Sequence, residues 1–267
     1  MKITSASNDK IKYLRSLYQK KYRRKYNQFV LEGVRLIEEA VQENVDLSQV
    51  FYSEYLLRNE QGEKLLEQLQ EKEVQIYEID DGLLQQVADT VSPQGILAIV
   101  DKVEYELNDI LENKDGLILV VDQIQDPGNL GTIIRTADAA GFDGIITTKG
   151  TVSLYNQKTI RATMGSFFRT PIAKVNDLNE FEHGISESDY NLVVADTAGD
   201  NYHFDIDYLP ATAIIVGNEA HGPRQELIDL ADQSIKIPLL GGAESLNVAM
   251  ATSVIVYEAV RQKLDNN

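Results

Sequence analysis

The chain has 267 residues, of which 43% are hydrophobic and 25% are charged, and its formal net charge is -17. This composition excludes wholesale disorder, is typical of two domains or one large α/β domain, and makes general binding of polyanions unfavourable. With no cysteine, the chain cannot form disulfides, thiolate metal sites or a cysteine nucleophile. Its first residues lack a signal-peptide pattern and no window approaches a membrane span, so we expect a cytoplasmic protein.

A basic amino-terminal segment, residues 1–26, departs from the acidic average and is expected to be helical. Between positions 10 and 25 it holds eight basic residues and no acidic one. Tyrosines are interleaved with these cations, and the spacing of Tyr18, Tyr22 and Tyr26 puts them on one face of a single helix. Rings and cations together suit a nucleic-acid surface, where rings stack on bases and cations neutralise phosphates. The alternative is a solvated basic helix whose tyrosines pack on the protein's own body.

The rest of the chain alternates strand-like and helix-like segments. Residues 27–101 predict a small α/β domain, and the acidic polar stretch 102–114 predicts a linker. Residues 115–267 contain five apolar runs of strand type, at 117–121, 144–148, 192–195, 213–216 and 235–238. Because these runs are separated by segments of helix length, they predict a mostly parallel sheet covered by helices on both faces.

Several common catalytic motifs are absent from the sequence. It has no P-loop, no Gly-x-Gly-x-x-Gly turn and no Gly-x-Ser-x-Gly elbow, so the usual markers of nucleotide hydrolases, dinucleotide enzymes and α/β-hydrolases are missing. The three histidines are scattered, and we expect no metal site. His221 lies in a glycine-bearing loop, where it is either a ligand contact or an exposed loop residue.

The first of three polar clusters in the carboxyl-terminal half spans Asp126–Ala137. Asn129 is a good helix N-cap, and Ile133 and Ile134 belong to the buried face of the helix that follows. Arg135 lies off that apolar stripe. It is either part of a surface pair with Asp138, or a guanidinium near the carboxyl ends of the strands, where open α/β sheets bind ligands.

The other two clusters also follow predicted strands. In the second, Gly217 ends a buried strand and allows the backbone to approach a ligand closely; Glu219 follows, either solvated or functional. The third leads into an apolar helix, Val248–Val260, which we expect to be mostly buried. Ser245 is a plausible N-cap for this helix, whereas the amide of Asn247 needs partners at a buried helix start, which favours a binding role.

In order and spacing, the three clusters resemble the signature motifs of the SpoU (TrmH) RNA 2′-O-ribose methyltransferases of the SPOUT superfamily. The resemblance covers residues 115–262, and Phe29–Arg35 through Val100 resembles the family's amino-terminal RNA substrate-binding domain. It implies an α/β catalytic domain whose carboxyl-terminal part is threaded through a trefoil knot, against the general rule that chains are unknotted. It also implies a homodimer that packs through the catalytic domain.

The same resemblance implies S-adenosylmethionine as cofactor and no metal, because a sulfonium methyl group is already electrophilic. The residues expected to line the cofactor site are Gly217, Ile237 and Leu246. The residues at the family's polar catalytic positions are Asn129, Arg135, Glu219, Ser245 and Asn247. Since a guanidinium stays protonated, we expect Arg135 to anchor a phosphate and stabilise negative charge on the reacting oxygen rather than act as the base.

The expected activity is therefore methylation of a ribose 2′-hydroxyl in structured RNA. 23S rRNA is favoured because a separate amino-terminal domain of this kind accompanies many rRNA-directed members, and the basic segment then serves as an RNA grip. A tRNA substrate is one alternative. Another is a non-catalytic RNA-binding or ribosome-assembly factor that retains the fold, and a third is an α/β protein that binds no RNA, which the net charge favours.

Overall fold

The computed structural model describes residues 2–72, 74–113 and 116–266. Its contacts divide the chain into two units, residues 1–103 and 104–267. Residue 114, expected to end the linker, and residues 115 and 267, expected to bound the catalytic domain, lie outside the described residues. Within the described ranges, no helix is long and apolar enough to cross a membrane.

The first unit is built on a five-stranded sheet. Its strands are β1 (Lys2–Ile3), β2 (Gln28–Glu32), β3 (Leu47–Tyr52), β4 (Gln75–Ile79) and β5 (Ile96–Asp101). Its helices are α1 (Asp9–Ser16), α2 (Lys20–Tyr26), α3 (Val34–Gln42), α4 (Glu60–Glu71) and α5 (Asp81–Val87). The strand order is β1-β4-β3-β5-β2; β5 is antiparallel to both of its neighbours, while β1, β4 and β3 run parallel. A small α/β unit is therefore present where the periodicity predicts one.

The basic segment folds as two short helices, α1 and α2, rather than one. The turn between them contains Tyr18, so the expectation that Tyr18, Tyr22 and Tyr26 share one helical face is wrong for Tyr18. Arg23 explains the turn: its Nη1 donates to the carbonyl oxygens of Leu17, at 3.1 Å, and Tyr18, at 2.6 Å. Arg23 is itself only 8% exposed. One of the eight cations is thus part of the fold and is not available to a ligand.

The segment 102–114 differs from a simple linker. It contains a helix, α6 (Leu107–Leu111), which begins four residues after the first unit ends. Leu107 and Ile110, three residues apart on one face, are buried in the core of the second unit. The apolar pair outweighs the acidic composition that suggested a linker.

The second unit is built on a seven-stranded parallel sheet. Its strands are β6 (Leu117–Val121), β7 (Gly144–Thr148), β8 (Ile172–Val175), β9 (Asn191–Ala195), β10 (Asn201–Tyr202), β11 (Thr212–Val216) and β12 (Gln233–Lys236). Its further helices are α7 (Pro127–Ala139), α8 (Gln157–Thr163), α9 (Leu178–Ser186), α10 (Gln225–Leu230) and α11 (Val248–Asp265). The strand order is β10-β12-β9-β11-β6-β7-β8. The predicted α/β class with a mostly parallel sheet is confirmed.

Two central strands of this sheet, β6 and β11, bring the polar clusters together. Every residue of both strands is buried, as expected for parallel strands covered on both faces. They pair in parallel, with Val121 opposite Val216. Because parallel neighbours end at the same edge of a sheet, the loops that follow Val121 and Val216 start side by side.

The last helix, α11, is buried on one face only. Its buried residues are Ala249, Thr252, Ile255, Val256 and Ala259. The side chains of Met250, Val254 and Tyr257 are 58%, 41% and 51% exposed. The expectation that this helix is mostly buried is therefore wrong for the single chain, and an apolar face remains uncovered in it.

Candidate functional site

The start of α7 is set by Asp126 and not by Asn129. The Oδ1 atom of Asp126 accepts hydrogen bonds from the backbone nitrogens of Gly128, at 2.7 Å, and Asn129, at 2.9 Å, and Pro127 occupies the first helical turn. The prediction of Asn129 as N-cap is wrong, and a proline just after Asp126 was the signal that favoured the earlier residue. Asn129 consequently lies in the first turn with its side-chain amide free for other partners.

The Asn129 amide is bound by Glu219 from the loop after β11. Its Nδ2 donates to Glu219 Oε1 at 2.9 Å. Two backbone nitrogens of the neighbouring loop also donate to this carboxylate: Asp126 to Oε1 at 3.1 Å and Gln125 to Oε2 at 3.2 Å. Glu219 therefore joins the first two sequence clusters through three hydrogen bonds.

Asn247 connects the third cluster to the same network. Its Nδ2 donates to Asn129 Oδ1 at 3.0 Å. Its Oδ1 accepts from the backbone nitrogens of Ala249 and Met250, at 3.0 and 3.3 Å, so Asn247 is the N-cap of α11. The alternative N-cap, Ser245, is wrong, because the helix begins two residues later than that prediction requires.

The direction of this chain of hydrogen bonds is fixed at both ends. An ionised carboxylate only accepts, so Glu219 requires the amide nitrogen of Asn129 to face it. Backbone N–H groups only donate, so the start of α11 requires the amide oxygen of Asn247 to face it. The one remaining contact must then run from the nitrogen of Asn247 to the oxygen of Asn129, as observed. Each side chain has a single orientation that satisfies the network.

The pKa of Glu219 is consistent with a permanent acceptor. Burial alone raises this pKa, but the hydrogen bonds from Asn129 and from the backbone of Gln125 and Asp126 outweigh it and lower the pKa below the ordinary glutamate value. A group with a lowered pKa stays ionised at neutral pH and loses its charge only in acid. The network therefore persists across the physiological pH range.

A cavity of about 340 Å³ lies beside this network in the second unit. The loops after β9 and β12 line it, together with the segment that leads into α11. Its lining includes Asp196, Ile237, Pro238, Glu244, Ser245 and Leu246. Ser245 and Leu246 immediately precede Asn247, so the cavity wall continues into the polar network.

Two predicted residues are placed differently from the rest. Gly217 is not among the described residues that line the cavity; a Cβ atom there would lie 2.0 Å from the nitrogen of Pro223, so the glycine is needed where the loop folds back on itself. Arg135 is exposed on α7 and makes no hydrogen bond or ion pair with any residue the structure describes. Its expected surface partner, Asp138, pairs instead with Arg169 at 2.9 Å.

Residues 116–257 match the SpoU rRNA Methylase family, and residues 8–98 match the MRM3-like substrate binding domain. The chain belongs to the SpoU rRNA methylase family. A relative in Bacillus subtilis (strain 168), 23S rRNA (guanosine(2553)-2′-O)-methyltransferase RlmP, is 36% identical over 255 residues, which cover 96% of this chain and 97% of the relative. A 23S rRNA (uridine(2479)-2′-O)-methyltransferase of Streptomyces viridochromogenes is 30% identical over 247 residues, or 91% of this chain and 85% of that one.

Solved structures support the same membership. The crystal structure of an AdoMet-bound rRNA methyltransferase from Sinorhizobium meliloti superposes with a TM-score of 0.88 at 32% identity, over 98% of this chain and 97% of that one. The SpoU resemblance inferred from the three clusters is thereby confirmed. The similarity extends over both units and is not limited to the methylase half.

Sequence reasoning missed three residues that build this SpoU-family site. Asp122, directly after β6, binds Arg224, the residue before α10, with 2.6 Å between Oδ1 and Nη2. Asn218 bridges the same two loops, since its Nδ2 donates to the carbonyl oxygen of Gln123 at 2.9 Å. No local pattern reports these contacts, because the partners are about a hundred residues apart. His221, for which the sequence allowed either a ligand contact or an exposed loop position, is exposed.

Proposed function

We propose that this SpoU-family protein transfers the methyl group of S-adenosylmethionine to a ribose 2′-hydroxyl in structured RNA, with 23S rRNA as the favoured substrate. The observation that carries the proposal is the hydrogen-bonded network of Glu219, Asn129 and Asn247, which joins all three clusters beside a cavity of ligand size. Relatives that match most of the chain are named for 23S rRNA, one at a guanosine and one at a uridine. The proposal therefore specifies the ribose and not the base.

The cavity fits S-adenosylmethionine in size and in chemistry. Its volume of about 340 Å³ lies within the range of small-molecule sites, roughly 300–1,000 Å³. The backbone from Pro238 to Leu246 makes no hydrogen bond with any described residue, so its N–H and C=O groups remain available to a nucleoside. The carboxylates of Asp196 and Glu244 line the same cavity and suit a cationic ligand. When bound, the cofactor supplies an electrophilic methyl group on a sulfonium.

We assign the polar residues to binding and orientation. Arg135, exposed and uncommitted within the described structure, is suited to hold a phosphate next to the target ribose and to stabilise negative charge as the 2′-oxygen develops it. Glu219 holds Asn129, and Asn129 and Asn247 present fixed amides toward the ribose. Ser245, in the cavity wall, is assigned a hydrogen bond to the cofactor or the ribose. Ile237 and Leu246 are assigned apolar and backbone contacts with the cofactor. Gly217 allows the neighbouring loop to fold back on itself.

We also propose that the second unit contains the trefoil knot of its family and forms a homodimer. The uncovered apolar face of α11, with Met250, Val254 and Tyr257, supports a dimer, since single chains rarely leave a contiguous apolar face in water. Residues 115–267 then form the catalytic domain. A substrate in ribosomal RNA also favours a cytoplasmic location.

The first unit is proposed to bind the RNA, through the basic segment 1–26 and the substrate-binding domain 27–101. Four of its cations are exposed on α2, namely Lys20, Lys21, Arg24 and Lys25. The rings of Tyr22 and Tyr26 stack on this helix with centroids 6.3 Å apart and planes 10° from parallel. Cations that neutralise phosphates beside an aromatic stack are typical of surfaces that bind single-stranded or looped RNA.

Labelled S-adenosylmethionine tests the activity directly. The protein is incubated with total RNA from a strain that lacks its gene, and the labelled position is mapped. We expect label at one 2′-O position of 23S rRNA. Label in tRNA would overturn the favoured substrate, and no label in any RNA, with ribosomal particles also supplied, would overturn the methyl transfer.

A further inference from the structure

The loop after β6 and the loop after β11 are joined by contacts at three levels. Asp122 and Arg224 bind each other at the base, Asn218 binds the carbonyl of Gln123 in the middle, and Glu219 binds the outer part. We call the pair of Asp122 and Arg224 the basal ion pair. It joins the residue directly after β6 to the residue directly before α10.

In the basal ion pair, both carboxylate oxygens of the buried Asp122 accept hydrogen bonds. The Asp122 side chain is fully buried, and its Oδ1 lies 2.6 Å from Arg224 Nη2 and 3.0 Å from Nε. Oδ2 accepts from the backbone nitrogen of Arg224 at 3.0 Å. Thr148, on β7, donates its hydroxyl to Oδ1 at 2.6 Å. Because burying a carboxylate is costly, a pair this well satisfied restrains geometry more than it adds stability.

The backbone between the two ends is also constrained. Gln123 has a φ of 55°, a left-handed conformation that residues other than glycine rarely adopt. Its carbonyl accepts from Asn218, and its nitrogen donates to the hydroxyl of Thr148 at 3.3 Å. Asn218 holds the carbonyl side of Gln123, where the chain continues outward, and so keeps the loop in this conformation. From there the chain reaches Gln125 and Asp126, whose nitrogens bind Glu219.

We propose that Asp122 and Arg224 are positioning residues, which hold the Glu219 loop in the register that sets the orientation of Asn129. A lysine at position 224 keeps the charge and the backbone hydrogen bond to Asp122, but it cannot reproduce the two-pronged side-chain contact, so the loop base is held less firmly. Glu219 then leaves the backbone nitrogens of Gln125 and Asp126, and the Asn129 amide loses the acceptor that fixes it. The effect on turnover rests on the proposed methyl transfer; the effect on geometry does not.

Amide hydrogen exchange in full-length protein tests the geometry with two variants that disturb the same carboxylate. In Arg224→Lys, the amides of Gln125 and Asp126 should exchange about tenfold faster, because their acceptor is displaced. In Thr148→Val, which removes a different hydrogen bond from Asp122, those two amides should stay within about twofold of wild type, while the amide of Gln123 becomes faster. Asp122→Asn should resemble Arg224→Lys. Melting temperatures of all variants show whether the fold is retained.

Turnover provides the second arm. At saturating cofactor, Arg224→Lys should lower kcat about tenfold and leave the dissociation constant of S-adenosylmethionine within about twofold, since the cavity is lined by other loops. Thr148→Val should keep kcat within about twofold. Equal exchange at Gln125 and Asp126 in the two variants, or equal kcat, would reduce the pair to a stabilising role and overturn the proposal. If wild type transfers no methyl group, the proposed function fails and the exchange experiment still decides on positioning.

Discussion

The basic helix α2 and the polar network of the second unit use charge in opposite ways. On α2, Lys20, Lys21 and Lys25 are exposed, and their attraction for phosphate adds up and is screened by salt. In the network, Glu219 has three partners within 3.2 Å, and one of them, Asn129, also binds Asn247. Redundant surface charge should tolerate single substitutions, whereas connected residues should not.

Arg135→Ala should have the largest effect on the chemistry. Loss of a cation that stabilises negative charge in the transition state lowers kcat by about 10²–10³. Cofactor affinity, measured by calorimetry, should not change, because Arg135 does not line the cavity. Arg58→Ala is the control, measured at saturating RNA, since Arg58 is exposed in the first unit and pairs with Asp81 at 3.4 Å. An unchanged kcat in Arg135→Ala would mean that Arg135 does not stabilise the transition state and is one more replaceable surface cation.

Glu219→Gln should reduce kcat less, by about 10–100-fold. The substitution keeps the size but replaces one accepting oxygen with a donating nitrogen, which then faces a backbone N–H that also donates. Asn247 stays fixed by the backbone nitrogens of Ala249 and Met250, but the side chain at position 219 loses a backbone hydrogen bond and holds the Asn129 amide less firmly. Glu226→Gln on the exposed side of α10 is the control, and single-turnover methyl transfer is the measurement. A normal rate in Glu219→Gln would mean that the network is not required for transfer.

The sequence predicts the parts of this network better than their connections. Continuous apolar runs locate β6 and β11, because strands buried on both faces need such runs. Helix starts are less well predicted. Asp126, Asn129, Ser245 and Asn247 are all capable N-caps, and which one is used depends on partners from other loops.

Long-range polar contacts are not encoded locally at all. The partner of Asp122 is 102 residues away, and an aspartate after a strand is equally compatible with solvent. The two-helix form of the basic segment has a more local origin: its spacing suits one helix, but Arg23 binds the turn carbonyls of Leu17 and Tyr18, six and five residues away. Spacing in the sequence predicts which elements form, and the tertiary partners decide where they end.

Replacing Lys20, Lys21, Arg24 and Lys25 of α2 together with glutamine should weaken RNA binding about tenfold or more and flatten its salt dependence. Each lost phosphate contact reduces the slope of log K against log salt by roughly 0.7–0.9, so the loss of four contacts changes the slope by about 2.8–3.6. Single substitutions should each have a small, additive effect. Cofactor affinity serves as the control. An unchanged slope would mean that α2 is a solvated helix and that its exposed cations do not bind RNA phosphates.

Two neighbouring arginines of α2 give the smallest and most discriminating effect. Arg23→Ala leaves the turn carbonyls of Leu17 and Tyr18 without their donor, which should destabilise α1 and α2 by about 1–3 kcal/mol. Arg24→Ala, at an exposed position, should stay within about 0.5 kcal/mol. Native-state amide exchange of the two helices measures both values. If Arg24→Ala destabilised the helices as much as Arg23→Ala, exposure would not distinguish the cations that bind ligands from those that hold the fold. If only Arg23→Ala is destabilising, the basic segment itself contains one structural cation among exposed ones.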